Sequence, residues 1–139
     1  MLPGFSLLDH PADLGIEARG ETLSQAFEQA ATGLMSVILD LSSVESTVSR
    51  ELTLQASDLE TLLVKWLAEI LYLYDGERFV GKKFEVCELH DNRLRATVFG
   101  EMFTEGKHRT RLDVKAVTYH QLVVEEARDG GRIRVFLDI

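Results

Sequence analysis

Residues 84–99 read FEVCELHDNRLRATVF, two runs of alternating apolar and polar side chains on either side of His90-Asp91-Asn92-Arg93. Alternation with a period of two is typical of a strand that buries one face, and Asp and Asn favour a tight turn. The stretch therefore predicts a β-hairpin. A second hairpin is predicted nearer the end of the chain, where residues 116–126 and 132–137 flank Asp129-Gly130-Gly131.

The first half of the chain adds two helical patterns. A capping motif, Thr22-x-x-Gln25, precedes apolar residues at helical spacing, and Ser57-x-x-Glu60 precedes a second amphipathic pattern that is expected to stop at Asp75-Gly76. Alternating segments predict three further strands, at residues 5–9, 13–19 and 49–56. Residues 100–111 are expected to form a polar loop.

The order of these elements predicts an α+β class. Runs of strands are not separated by crossover helices, so we expect a two-layer sandwich, a largely antiparallel β-sheet with two amphipathic helices on one face. A chain of 139 residues with 45% hydrophobic side chains is long enough to bury one core. A single domain covering residues 1–139 is the corresponding expectation.

Composition narrows the classes of function. The formal net charge of -8 disfavours tight binding of nucleic acid by the chain alone and favours docking on a basic protein surface. No apolar stretch approaches the roughly 20 residues that span a bilayer, so no membrane partner is expected. The N-terminal residues lack a signal-peptide pattern, and the single Cys87 cannot form an internal disulfide. A cytoplasmic location is therefore predicted.

Three clusters carry chemically useful side chains. The first is the bend Asp9-His10-Pro11-Ala12-Asp13, which is also consistent with an ordinary turn. The second is Lys115-Ala116-Val117-Thr118-Tyr119-His120, where alternation places Lys115 and His120 on opposite faces of a strand. The third is the terminal pair Asp138-Ile139. Its two anionic groups repel each other unless a cation or a basic group lies between them, although a solvated terminus is the simpler interpretation.

Several common catalytic motifs are absent from the sequence. It has no glycine-rich phosphate loop, no Cys/His zinc spacing and no serine in a nucleophile elbow. A metal-dependent hydrolase built from dispersed Asp and His residues stays open on this evidence.

Five motifs taken together resemble the archease family along essentially the whole chain. They are His10-x-Ala12-Asp13-x-Gly15-Ile16, Gly20-Glu21-Thr22, Asp58-Leu59-x-x-Leu62-Leu63-Val64-x-Trp66-Leu67, Lys115-Ala116-Val117-Thr118-Tyr119-His120 and Leu137-Asp138-Ile139. One position departs from the family pattern: Pro11 stands where the family usually has Thr, which removes a hydroxyl and stiffens the bend.

The resemblance implies a function. Archease-like proteins are not enzymes but protein cofactors of an RNA ligase. In tRNA splicing this ligase joins a 3′-phosphate or 2′,3′-cyclic phosphate end to a 5′-hydroxyl end. They promote guanylylation of a ligase histidine and multiple turnover. The resemblance assigns metal-binding oxygens to Asp13, Asp138 and the carboxylate of Ile139, with calcium as the expected divalent cation and magnesium or manganese as alternatives. It assigns activation or docking to His10, Lys115 and His120.

Two alternatives of other classes remain. One is a stand-alone metal-dependent hydrolase that uses His10, Asp13 and His120, which turnover by the isolated protein would favour. The other is a general chaperone-like interaction module, which association with many unrelated clients would favour.

Overall fold

The structure is a computed structural model that describes residues 1–9 and 13–139, with Asp9 described in its backbone only. A short 3₁₀ turn, Leu41–Ser43, follows the first helix. The described helices and strands are, in chain order, β1 (Gly4–Asp9), β2 (Asp13–Gly20), α1 (Leu23–Ile38), β3 (Val48–Gln55), α2 (Leu59–Glu77), β4 (Phe79–His90), β5 (Arg93–Met102), β6 (Ala116–Val117), β7 (Val123–Ala127) and β8 (Gly130–Asp138).

The strands form two antiparallel sheets. In the first sheet β2 lies between β1 and β8, and both β6 and β7 pair with β8. The second sheet has the order β3-β5-β4. Helix α1 contacts strands of both sheets, and the Trp66 Nε1–H of α2 donates to the Phe27 carbonyl of α1 over 2.9 Å. The α+β class is therefore confirmed, with the strands divided between two sheets.

Alternation along β2 and β8 gives the first sheet one buried and one open face. Side chains facing α1 are buried; they are Leu14, Ile16, Ala18, Ile133, Val135 and Leu137. The intervening residues point away from the helices, and this side is called the open face below. At one end it carries Asp13, Gly15, Phe136 and Asp138. The sheet therefore brings the start of β2 and the end of β8 to one place.

The helix ends agree in part with the predicted caps. Thr22 caps α1 as predicted, since its hydroxyl oxygen accepts the Gln25 N–H. The cap of α2 is Asp58 and not Ser57, because the Asp58 carboxylate accepts the Thr61 N–H over 2.7 Å. Helix α2 continues through Gly76 to Glu77 and ends where Arg78 turns left-handed, at φ 59°.

The segment predicted as a polar loop at residues 100–111 begins as strand, because β5 extends to Met102. The chain then returns along the end of α1. The N–H groups of Arg111 and Leu112 donate to the Ile38 and Val37 carbonyls, which satisfies two acceptors that the end of a helix leaves exposed. Among the residues described, neither helix combines the length and apolarity needed to cross a membrane.

Candidate functional site

The site is built where three distant parts of the chain meet at one end of the first sheet. Asp13, the first residue of β2, lies directly opposite Asp138, the last residue of β8. On the other side of β8, Ala116 of β6 is opposite Asp138. The Lys115 N–H donates to the Asp138 carbonyl over 2.8 Å. The structure thus brings together Asp13, Lys115 and Asp138, as the predicted site requires.

The two carboxylates share one face because opposite residues of an antiparallel pair point to the same side of the sheet. Their Cβ atoms are then about 4.5–5.5 Å apart. Like charges directly opposite each other destabilise a sheet, so a cation between them stabilises this arrangement. Asp138 is exposed, and its carboxylate forms no hydrogen bond or ion pair with any residue of 1–9 or 13–139. Asp13, Asp138 and Ile139 are called the carboxylate end below.

The oxygen donors of the carboxylate end fit a hard cation such as calcium, magnesium or manganese better than zinc. Within residues 1–9 and 13–139, no group of three or more His, Cys, Asp and Glu side chains is arranged to hold a metal ion. Asp13 and Asp138 supply two side-chain carboxylates. The main-chain carboxylate predicted at Ile139 would be the third protein ligand, and water or a partner's oxygen atoms would complete the coordination.

Lys115 borders the carboxylate end through its backbone and exposes its side chain. Its ammonium group makes no ion pair with a residue in the described part of the chain. Lysine is a flexible point charge, so it can reach a group on a docking partner. The role of Lys115 in activation or docking stays a prediction.

His120 lies in a turn and not in a strand. The predicted strand 116–126 is interrupted between β6 and β7, where Gln121 adopts a left-handed φ of 49°. The exposed His120 ring packs against Phe136, with 5.7 Å between ring centroids. His10, together with Pro11 and Ala12, lies outside the described residues, so its predicted role stays a prediction.

A second acidic group is centred on Glu101, near the end of β5, and includes residues of the loops before β3 and after β5. No sequence motif marks it. Glu101 accepts three hydrogen bonds, from the Glu45 N–H at 2.8 Å, from His108 Nε2 at 2.9 Å and from Lys107 Nζ at 3.0 Å. These contacts, led by the Glu45 N–H, lower the pKa of Glu101 to about 2. Glu45, Glu101, Lys107 and His108 are called the loop cluster below.

The buried His108 fixes the loop cluster from inside. Its Nδ1 accepts the Thr104 N–H over 2.9 Å, so the proton of the neutral ring lies on Nε2 and is donated to Glu101. A histidine in a polar run such as Thr104-Glu105-Gly106-Lys107-His108 gives no periodic signal of burial. The loop cluster could therefore not be found from the sequence.

The comparisons with known proteins cover nearly the whole chain. The family described as "Archease protein family (MTH1598/TM1083)" matches residues 5–139. The chain belongs to the archease family. Protein archease of Methanosarcina acetivorans is 38% identical, over 97% of this chain and 95% of its own length. Protein archease of Saccharolobus islandicus is 43% identical, over 97% of this chain and 98% of its own.

Solved archease structures share the fold. The solution structure of Methanobacterium thermoautotrophicum protein 1598 matches with a TM-score of 0.83 and 35% identity, over 98% of this chain and 99% of its own. A crystal structure of an archease from Thermotoga maritima, described as a possible chaperone, matches with a TM-score of 0.67 and 20% identity, over 95% of this chain and 94% of its own. The second likeness supports the fold alone.

Proposed function

We propose that this archease is the protein cofactor of the tRNA-splicing RNA ligase and that it promotes guanylylation of the ligase in the cytoplasm. The observation that carries the proposal is the convergence of Asp13, Lys115 and Asp138 at one sheet end. Family membership supports it, since the resemblance assigns the metal-binding and docking roles to these positions. The net charge of -8 suits docking on a basic, RNA-binding enzyme.

The residues of the carboxylate end have separate tasks in this proposal. Asp13, Asp138 and the carboxylate of Ile139 hold the divalent cation, for which calcium is our first choice. When bound, the cation supplies positive charge that offsets the opposed carboxylates and offers coordination positions to a partner's oxygen atoms. Lys115 places a second positive charge beside the same surface, where it contacts the ligase or its nucleotide.

The chemistry of guanylate transfer belongs to the ligase in this proposal. The ligase histidine attacks GTP, and this chain orders the charged groups that face the reacting phosphate. Preorganised charge of this kind accelerates reactions in which negative charge develops on phosphate oxygens. Alone, the chain is expected to hydrolyse no GTP and to retain no covalent guanylate.

The test uses the purified ligase, labelled GTP and sub-stoichiometric amounts of the archease. Wild-type protein is expected to accelerate ligase guanylylation, and Asp138→Asn and Lys115→Ala are expected to weaken the acceleration. Glu51→Gln is the matched control, because Glu51 is an exposed carboxylate on the second sheet. Guanylate found covalently on this chain contradicts the proposal, and so does full stimulation by both site variants.

A chaperone-like interaction module is the alternative from another class of function. The same proteins separate the two functions. A chaperone-like module would suppress aggregation of unrelated clients equally well with Asp138→Asn, because client binding would not need the carboxylate end. The hydrolase alternative predicts phosphate release by the isolated chain, and this release would require Asp13.

A further inference from the structure

Phe136 is buried although it lies on the open face, and the way it is covered brings a histidine close to the carboxylate end. Its side chain is only 5% exposed. The register places Gly15 directly opposite, and a Cβ at Gly15 would come within 2.9 Å of the Phe136 ring. Because Gly15 has no side chain, the Phe136 ring has room to lie across β2. The His120 ring packs against Phe136 at 64°, an edge-on arrangement that aromatic rings favour.

His120 lies in the turn between β6 and β7, and Thr118 fixes the backbone of this turn to Phe136. The Thr118 N–H and the Thr118 hydroxyl both donate to the Phe136 carbonyl over 3.0 Å. The hydroxyl oxygen also accepts the His120 N–H over 3.2 Å. At the other end of the turn, Arg134 Nε donates to the Gln121 carbonyl over 3.4 Å. The exposed His120 is thus held by its ring contact with Phe136, by the hydrogen bond from its own N–H and by the bonds that Thr118 and Gln121 make to β8.

The held imidazole packs against a residue that lies on the same face as the carboxylate end. Phe136 and Asp138 are alternate residues of β8 on the same face, about 6–7 Å apart along the strand. An exposed histidine ordinarily keeps its rotamer freedom. Here the contact with Phe136 restricts the ring, and the backbone hydrogen bonds fix the turn that carries it. Such ordering is useful where a ring nitrogen must meet a partner's group at a fixed place.

We infer that Thr118 and Phe136 are positioning residues, which hold His120 so that its imidazole meets a phosphate oxygen bound in the ligase active site. The inference rests on the proposed function. A phosphate oxygen is the fitting partner because imidazole N–H groups donate to such oxygens, and the proposed cation site lies on the same face. The phosphate belongs either to GTP or to the RNA end.

The decisive variant is Thr118→Val, which has the same shape as Thr118 but lacks the hydroxyl, while the backbone bond to Phe136 remains. We expect the stimulation of guanylylation to fall at least about fivefold, the factor that loss of one hydrogen bond corresponds to. Thr118→Ser keeps the hydroxyl and is expected to retain activity within about twofold of wild type. Thr53→Val, on an exposed position of the second sheet, is the matched control.

A spectroscopic readout separates positioning from general damage. The NMR signals of the His120 ring protons should carry a ring-current displacement from Phe136, and Phe136→Leu should remove it. Thr118→Val should reduce the displacement, and calorimetry should show unchanged calcium binding. A loss of stimulation without any change in the His120 signals would overturn the positioning role.

The remaining outcomes distinguish this inference from the proposed function. If wild-type protein stimulates the ligase and Thr118→Val and Phe136→Leu support both guanylylation and sealing equally well, the positioning role is wrong and the proposed function stands. If wild-type protein does not stimulate the ligase, both fail together. A defect in guanylylation identifies the phosphate as that of GTP. A defect only in sealing by pre-guanylylated ligase identifies it as that of the RNA end.

Discussion

Glu101 in the loop cluster and Asp138 in the carboxylate end are both acidic, and their surroundings differ. Glu101 accepts hydrogen bonds from three donors of the protein itself, which include a lysine and a histidine. The Asp138 carboxylate has no such donor among the residues described, and another aspartate lies opposite it. A carboxylate with donors from the protein itself stabilises the fold, whereas two carboxylates opposite each other are stabilised by a cation between them. The comparison predicts that substitutions in the two regions have opposite consequences.

The largest expected effect is the loss of cation binding at the carboxylate end. Asp138→Asn removes one of the proposed carboxylate ligands, and hard-cation affinity depends strongly on ligand charge, so calcium affinity should fall about 100-fold or more. Without metal, the free energy of unfolding should change by less than about 0.5 kcal/mol and should rise, because a like-charge contact is removed. Isothermal calorimetry and urea unfolding measure the two quantities.

Two controls complete this experiment. Asp13→Ala should reproduce the loss of calcium binding, since the two aspartates are register partners. Glu101→Gln and Glu51→Gln remove the same charge elsewhere and should leave calcium affinity within about twofold. Undiminished binding of calcium, magnesium and manganese by Asp138→Asn would show that the carboxylate end is not a metal site.

The next effect is on stability, in the loop cluster. His108→Ala removes a buried ring, leaves a cavity and deprives both Glu101 and the Thr104 N–H of a hydrogen-bond partner. We expect a loss of about 2–3 kcal/mol in the free energy of unfolding. Arg109→Ala, at the exposed neighbouring position, should cost less than about 0.5 kcal/mol. Calcium affinity should be unchanged in both variants, and a tenfold loss in His108→Ala would mean that the two regions are coupled.

A smaller effect is expected from extending the chain beyond Ile139. An appended residue converts the proposed main-chain carboxylate ligand into a neutral amide, while Asp13 and Asp138 remain. Calcium affinity should therefore fall about tenfold, less than for Asp138→Asn, whereas the same tag at the N-terminus should have no effect. Equal calcium affinity of the two tagged forms would remove Ile139 from the ligand set.

The carboxylate end shows which features of the site can be predicted from the sequence. Strands carry a period that the sequence displays, so the start of β2 was placed correctly and the end of β8 to within one residue. The family resemblance predicted that Asp13 and Asp138 meet. Periodicity does not show which strands pair, so the division into two sheets was not predicted. The break after Val117 was also missed, because the hydrogen bonds from Thr118 to Phe136 are tertiary contacts.

Local chemistry explains the other misses. Ser57 and Asp58 are both good helix caps, and the structure selects Asp58, whose carboxylate reaches the Thr61 N–H. Leu39 and Thr110 form an isolated bridge between the end of α1 and the predicted loop, a contact between residues far apart in sequence. The loop cluster joins residues 45, 101, 107 and 108 across the same region. Contacts of this kind follow from the assembled fold and have no local signature.

The smallest predicted effect is on the pH dependence of stability. It shows whether hydrogen bonds from the protein itself lower the pKa of Glu101. The hydrogen bond from the Glu45 N–H, followed by those from His108 and Lys107, lowers the pKa of Glu101 from its ordinary 4.5 to about 2. A folded-state pKa below the unfolded value contributes stability that is fully present above about pH 4.5 and is lost as pH falls toward 2.

Glu101→Gln lacks this contribution, so its urea midpoint should lie below that of wild type at pH 7. The gap should narrow below pH 4.5 and close only below about pH 2. Salt should reduce the part due to Lys107, which is partly exposed. Glu51→Gln should show no such pH-dependent gap. A gap that stays constant from pH 7 to pH 2.5 would mean that Glu101 stabilises the loop by packing and not by its charge.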